Sequence, residues 1–140
     1  MQLSTYLFFN GNCEEAFKFY ERVLGGKIET VHTYAGMPAG AGNPTPAGWE
    51  NKIMHIHLSV DDQALLGSDA PPDHRDKATG GFSVSLSLND IPRAERIFRA
   101  LAENGTVKME FQKTFWAERF GMLADRFGIP WMINCEKAAG

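Results

Sequence analysis

The chain has 140 residues, of which 44% are hydrophobic and 22% charged, with a net charge of −3. That is the size of about one globular domain, large enough to bury a core without disulfides or a structural metal, and the composition excludes a disordered or fibrous chain. No apolar run approaches the ~20 residues of a bilayer span, and Met1-Gln2-Leu3-Ser4-Thr5 lacks the basic opening and apolar stretch of a signal peptide, so no membrane partner and a cytoplasmic location are expected.

Taken in chain order, Tyr6-Leu7-Phe8-Phe9 predicts a strand, after which Asn12 is placed to cap a helix and Glu15 to close a capping box. Cys13, Phe17, Tyr20 and Leu24 form its apolar stripe, widened by Ala16 and Val23, and Gly25-Gly26 supplies a left-handed stop. A strand is predicted over 27–34. The stretch 36–51, rich in Gly, Ala and Pro, reads either as a flap over a site or as simple length variation. From 52 to 60 the period is two, with Met54, Ile56, Leu58 and Val60 on one face and Ile53, His55, His57 and Ser59 on the other. A strand over 63–68 follows, then a surface connector over 69–81 that carries Pro71-Pro72, Gly80-Gly81 and His74.

Residues 82–88 alternate again, Phe82, Val84, Leu86 and Leu88 against Ser83, Ser85 and Ser87. Asp90 then caps a second helix that tolerates Pro92 in its first turn, with Ala94, Ile97, Phe98, Leu101 and Ala102 as its stripe and Asn104-Gly105 at its end. Strands are predicted over 106–113, 115–124 and 129–135, the last two joined by the turn Asp125-Arg126-Phe127-Gly128. The two halves thus repeat one pattern of strand, helix and three strands, and a repeat has to be recognised before fold is argued.

Only Cys13 and Cys135 occur as cysteines, without metal or redox spacing, and two reduced, buried thiols are expected. The basic residues are scattered, which argues against a nucleic-acid partner. His55 and His57, at i and i+2 on a strand, project the same way with Cα atoms roughly 6.5 to 7 Å apart. They suit anion binding or proton transfer, two arms of a metal site completed by Asp69, Glu110 or His74, or a structural polar face or dimer contact. Ser83 and Ser85 either offer hydroxyls to a ligand or form only a small, polar, non-clashing floor, and no strained G-x-S-x-G turn makes either a nucleophile. Trp116, with Phe115 and Phe120, is placed to stack on a planar ligand beside the fixed cation Arg119, or to pack in a core or subunit contact. Glu110 and Gln112 share one face of their strand, which looks either into a site or outward. No P-loop or dinucleotide fingerprint occurs.

The tandem βαβββ pattern resembles the vicinal oxygen chelate superfamily, which includes glyoxalase I, bleomycin-resistance proteins and extradiol dioxygenases. Tyr6-Leu7-Phe8-Phe9-Asn10-Gly11-Asn12, Phe19-Tyr20, Thr114-Phe115-Trp116-Ala117 and the stretch from Asp125 to Asn134 resemble its PhnB-like branch. The resemblance implies an α+β fold, in which two units, about 1–70 and 80–137, form an open, cupped eight-stranded mixed sheet within one domain, helices on the convex side. It also implies a small-molecule ligand in the cup and a homodimer. The superfamily's metal ligands come from the first and last strands of each unit, which carries them to Thr5, about Gly67, about Ser83 and Met132. That set offers no imidazole, carboxylate or thiolate, so no metal site and no cofactor are expected. An acid-base enzyme with His55 or His57 as proton carrier, a sequestering protein of the bleomycin-resistance kind, and a metal-dependent lyase, isomerase or dioxygenase with displaced ligands remain as readings. Relatives in this branch sometimes carry a methyltransferase label, but the sequence has no glycine-rich cofactor loop to hold a methyl donor.

Overall fold

The computed structural model describes residues 1–36, 45, 47–71 and 81–136; His74, most of the expected flap and most of the connector lie outside them. The fold is α+β, and the chain divides into two compact units, 1–79 and 80–140. The first contains β1 (Thr5–Phe9), α1 (Cys13–Leu24), β2 (Lys27–Thr33), β3 (Ile53–Val60) and β4 (Gln63–Asp69). Its strands lie in the order β1-β4-β3-β2, with β1 parallel to β4 and the other pairs antiparallel.

Alternation decides which side chains meet α1. Leu7 and Phe9 register with Gly67 and Asp69, and Ile56 with Gly67. Leu7, Phe9, Ile56, Leu58 and Leu65 are buried, as are Ala16, Phe17 and Tyr20 of the helix. Gly67 permits the close approach of that helix, since a Cβ there would lie 2.6 Å from Phe17 Cε2. The helix ends as expected at Gly25, with φ +72° and its N–H donated to the Glu21 carbonyl.

Its start differs from the expectation. Asn12, at φ −115° and ψ 24°, forms no side-chain cap bond, because its backbone is outside the extended region that aims a capping oxygen at the first turn. Asp69 does that work from the end of β4. Its Oδ1 accepts the N–H groups of Gly11 at 2.9 Å and Cys13 at 3.0 Å, and its Oδ2 accepts that of Ile53 at 2.9 Å. Ile53 is fully buried and Met54 only half-buried, the reverse of the simple alternation. The step from the pair His32↔His55 to the pair Thr33↔Ile53 skips Met54, a bulge that returns Ile53 to the core face.

The second unit contains β5 (Val84–Leu88), α2 (Ile91–Ala102), β6 (Thr106–Gln112), β7 (Ala117–Ala124) and β8 (Pro130–Glu136), in the order β5-β8-β7-β6 with β5 parallel to β8. The same order as in the first unit makes the repeat visible in the backbone. Asp90 caps α2 by accepting the Arg93 N–H at 3.0 Å. Ala94, Ile97, Phe98 and Leu101 are buried, as are Leu123, Trp131, Ile133 and Cys135 of the sheet. The repeat extends to an irregularity, since register shifts fall between Ile28 and Thr30 in β2 and between Val107 and Met109 in β6.

Two strands begin later than the alternation predicts. Phe82 and Ser83 precede β5, and Phe115 and Trp116 precede β7. At β7 the cause is a turn closed by Thr114 and Ala117: the Thr114 N–H donates to the Ala117 carbonyl, and the Ala117 N–H to Thr114 Oγ1. The turn from Asp125 to Gly128 forms as expected. Asp125 Oδ1 accepts the N–H groups of Phe127 and Ile129, and its Oδ2 accepts the Trp131 indole N–H at 2.9 Å.

Candidate ligand-binding faces

Each sheet covers one face with its helix and leaves the other to a different set of side chains. In the first unit, cross-strand register aligns Tyr6, Leu66, His57 and Thr30 in one row away from α1. On the same face Phe8 pairs with Ser68 and His55 with His32. The Tyr6 ring lies 6.0 Å from that of His55 and 4.9 Å from that of Phe8. Tyr6 is 39% and Phe8 66% exposed, while His55 and His57 are half-buried.

His55 and His57 therefore share a face as predicted, and the structure adds His32, Tyr6 and Phe8 to them. His32 carried no signal in the sequence, because only the β2–β3 register reveals that it stands opposite His55. An imidazole both accepts and donates hydrogen bonds, so this face can meet a polar group while the two aromatic rings cover an apolar one.

In the second unit the open face has two rows of its own. Ser87, Asn134, Phe120 and Gln112 form one, and Ser85, Met132, Met122 and Met109 the other. Three thioethers in line make a soft, adaptable floor. Phe120 is only 7% exposed, and Trp116 packs edge-on against it with ring centroids 5.4 Å apart. Trp116 itself remains half exposed, and Phe115, packed against it at 4.8 Å, is almost fully so. Ser85 is exposed in its row and Ser83 half-buried just ahead of it. Among the described residues, Asn134 Oδ1 is a buried side-chain atom without a hydrogen-bond partner.

Several predicted site residues stand elsewhere. Arg119 registers with Cys135, on the buried α2 side, whereas Phe120 registers with Asn134 on the open side. Arg119 donates to the Glu118 carbonyl and does not share a face with the Trp116 and Phe120 pair. Glu110 is exposed and bridges to Arg99 of α2 at 3.2 Å. Its strand shifts register between Met109 and Gln112, so Glu110 and Gln112 do not hold the common face that plain alternation gives them. Asp69 is 1% exposed, its carboxylate accepting three backbone N–H groups, and serves as a structural clamp.

The positions carried over from the superfamily do not fit a divalent ion. Thr5 registers with Leu65, and Gly67 with Leu7, so both belong to the helix-side set. Met132 lies on the open side in register with Ser85, but it supplies a thioether, and Ser83, just ahead of β5, only a hydroxyl. Among the described residues no three His, Cys, Asp or Glu side chains gather as a metal-binding group. Both cysteines are buried, and burial is the main cause that raises each thiol above its usual range. Tyr34 donates its hydroxyl to the Asp69 carbonyl at 2.7 Å, and burial followed by the Asp69 charge raises its phenol pKa.

Residues 1–134 match the family model described as 3-demethylubiquinone-9 3-methyltransferase. Protein YjdN of Escherichia coli is 36% identical, over 98% of this chain and 97% of that one. The crystal structure of protein PA1353 from Pseudomonas aeruginosa is 45% identical and superposes with a TM-score of 0.86 over 99% of both chains. A putative 3-demethylubiquinone-9 3-methyltransferase, PhnB protein, from Bacillus cereus shares the fold at a TM-score of 0.78 and 22% identity, over 96% of this chain and 99% of that one.

Proposed function

We propose, for a chain that belongs to the 3-demethylubiquinone-9 3-methyltransferase family, in the PhnB-like branch of the vicinal oxygen chelate superfamily, that it binds a small metabolite on the open faces of its sheets. The observation that carries this is the clustering of His55, His57 and His32 with Tyr6 and Phe8 on a face that α1 does not use. Imidazoles beside exposed aromatic rings recognise a ligand that is polar at one end and planar or apolar at the other. His55, next to the Tyr6 ring, is the proton carrier if the ligand is turned over.

Methyl transfer, which the family's description names, is not part of this proposal. The link from β1 to α1 is Asn10-Gly11-Asn12 and that from β5 to α2 is Asn89-Asp90, and neither is a glycine-rich cradle for a nucleotide-like methyl donor. The proposed role uses no divalent ion, since Thr5, Gly67, Ser83 and Met132, at the superfamily's four ligand positions, offer no imidazole, carboxylate or thiolate.

The second reading is sequestration without turnover, which the methionine row and the half-exposed Trp116 favour because they offer shape and stacking but no proton relay. A homodimer belongs to the same proposal, supported by the exposed apolar side chains Leu3, Phe8, Phe82, Phe115 and Trp116. No described helix is long and apolar enough to cross a membrane, and a cytoplasmic location accompanies the proposal.

The test is a thermal-shift screen of polar aromatic and carboxylate metabolites against the wild-type protein and the His55→Ala/His57→Ala double variant. Compounds that raise the wild-type Tm and fail to raise that of the variant support the histidine face as the site. If the same compounds stabilise both proteins equally, the histidine face is not the site.

A further inference from the structure

We propose that Asn134 is the acceptor that selects the ligand on the open face of the second unit, and that the ligand class is a neutral planar ring bearing an O–H or N–H donor. The proposal rests on the small-molecule reading above and adds the chemistry of what is bound. A buried carbonyl oxygen of a side-chain amide without a partner leaves a desolvation cost unrecovered, and such atoms are rare enough in native proteins that each calls for a cause. Asn134 Oδ1 is such an atom, and its place in the sheet supplies the cause.

Asn134 lies between Ser87 and Phe120 in a row that continues to Gln112. This row carries no charge, while the cation Arg119 belongs to the opposite face and Glu110 is engaged by Arg99. A charged ligand would find no counter-ion here, so the ligand is neutral. Phe120 is covered on one side by the edge of Trp116, whose ring keeps half its surface in solvent. Beside the row lie Met132, Met122 and Met109, which adapt to the outline of a ring. An acceptor next to an aromatic wall and a thioether floor is the complement of a phenol, an indole or a lactam. Oδ1 is reached when the amide turns about its soft terminal torsion.

Binding of 2-naphthol and of its methyl ether, 2-methoxynaphthalene, measured calorimetrically, isolates the donor, since the two probes share one ring system. Wild-type protein is expected to bind 2-naphthol about ten-fold more tightly or better, the value of one hydrogen bond to an otherwise orphaned group. Asn134→Leu, close in shape, is expected to bind both equally, and Trp116→Ala to bind both more weakly while keeping the preference for 2-naphthol. Equal binding of the two probes by the wild type, no binding of either, or a preference that survives in Asn134→Leu overturns the proposal. A urea midpoint for Asn134→Leu at or above the wild-type value is also expected, because replacing an unpartnered polar atom costs nothing; a clear fall would mean that the amide has an internal partner and would also overturn it. Failure of these probes leaves the histidine face untouched, since that face is tested by the screen on His55 and His57.

Discussion

Asp69 Oδ1 accepts the backbone N–H of Cys13 at 3.0 Å, so the last residue of β4 caps a helix that begins 56 positions earlier in the chain. The same carboxylate holds Gly11 and the first residue of β3, which ties the β1–α1 link, the β3 start and the β4 end into one node. Asp69→Ala leaves three backbone donors without an acceptor. At about 1 to 3 kcal/mol for each buried donor so orphaned, a loss of roughly 3 kcal/mol or more is expected. Asp69→Asn, which keeps one oxygen, should lose about half as much. Urea unfolding of the two variants checks the order; equal and small losses would refute the node.

Close approach between helix and sheet gives the second prediction. A Cβ on Gly67 would meet two Phe17 ring atoms below 3.0 Å, and one on Gly121 would meet a Phe98 ring atom at 2.5 Å. Both phenylalanines are fully buried, so their rings have no room to retreat. Gly67→Ala and Gly121→Ala are each expected to cost about 1 to 3 kcal/mol by overpacking, read as a lower Tm. Gly48→Ala, where a Cβ meets nothing within 4 Å, separates the two causes. That position has φ +84°, so its loss measures backbone strain alone, about 1 kcal/mol. A Gly67→Ala protein as stable as wild type would show that the ring moves freely.

The elements were legible because each is announced locally. Asp90 is a capping residue in the sequence and caps in the structure, and Gly25 stops α1 as its type requires. What stayed hidden depends on register. His32 opposite His55, Asn134 between Ser87 and Phe120, and the methionine row are pairings between strands distant in the chain. Bulges defeated the period-two reading at Ile53 and Glu110, since one inserted residue reverses the faces beyond it. The clamp at Asp69 stayed hidden for a related reason: its partners are backbone groups, which no residue pattern displays.

Thiol burial predicts a pH dependence. Burial first, then the Asp69 and Glu14 charges, push Cys13 well above its usual 9.0. The folded protein therefore keeps a proton that the unfolded chain releases, and the stability associated with the neutral thiol is complete below pH 9 and lost as pH rises beyond it. Cys135 and Tyr34, also raised, act in the same direction, Tyr34 from its usual 10.0. The urea midpoint is expected to hold steady from about pH 7 to pH 8.5 and to fall above pH 9. In Cys13→Ala that fall is shallower, although the variant is weaker at every pH because of the cavity it leaves. An identical alkaline slope in the two proteins would assign the effect to other groups.

Metal content supplies the last prediction. His32 and His55 are direct cross-strand partners, with His57 two residues along the same face, so this is where an ion would be expected to bind if the chain held one. A divalent site needs three or more converging donors with carboxylate, imidazole or thiolate chemistry. The described residues gather no such trio, and the ring beside His55, that of Tyr6, is tilted at 35° to it. Protein exposed to excess Zn²⁺ or Ni²⁺ and then desalted is expected to retain well below one ion per chain, and ligands found in the thermal-shift screen should still bind after chelation. One tightly held ion per chain, lost in His55→Ala, would replace the proton-carrier role proposed for His55 with a metal-ligand role.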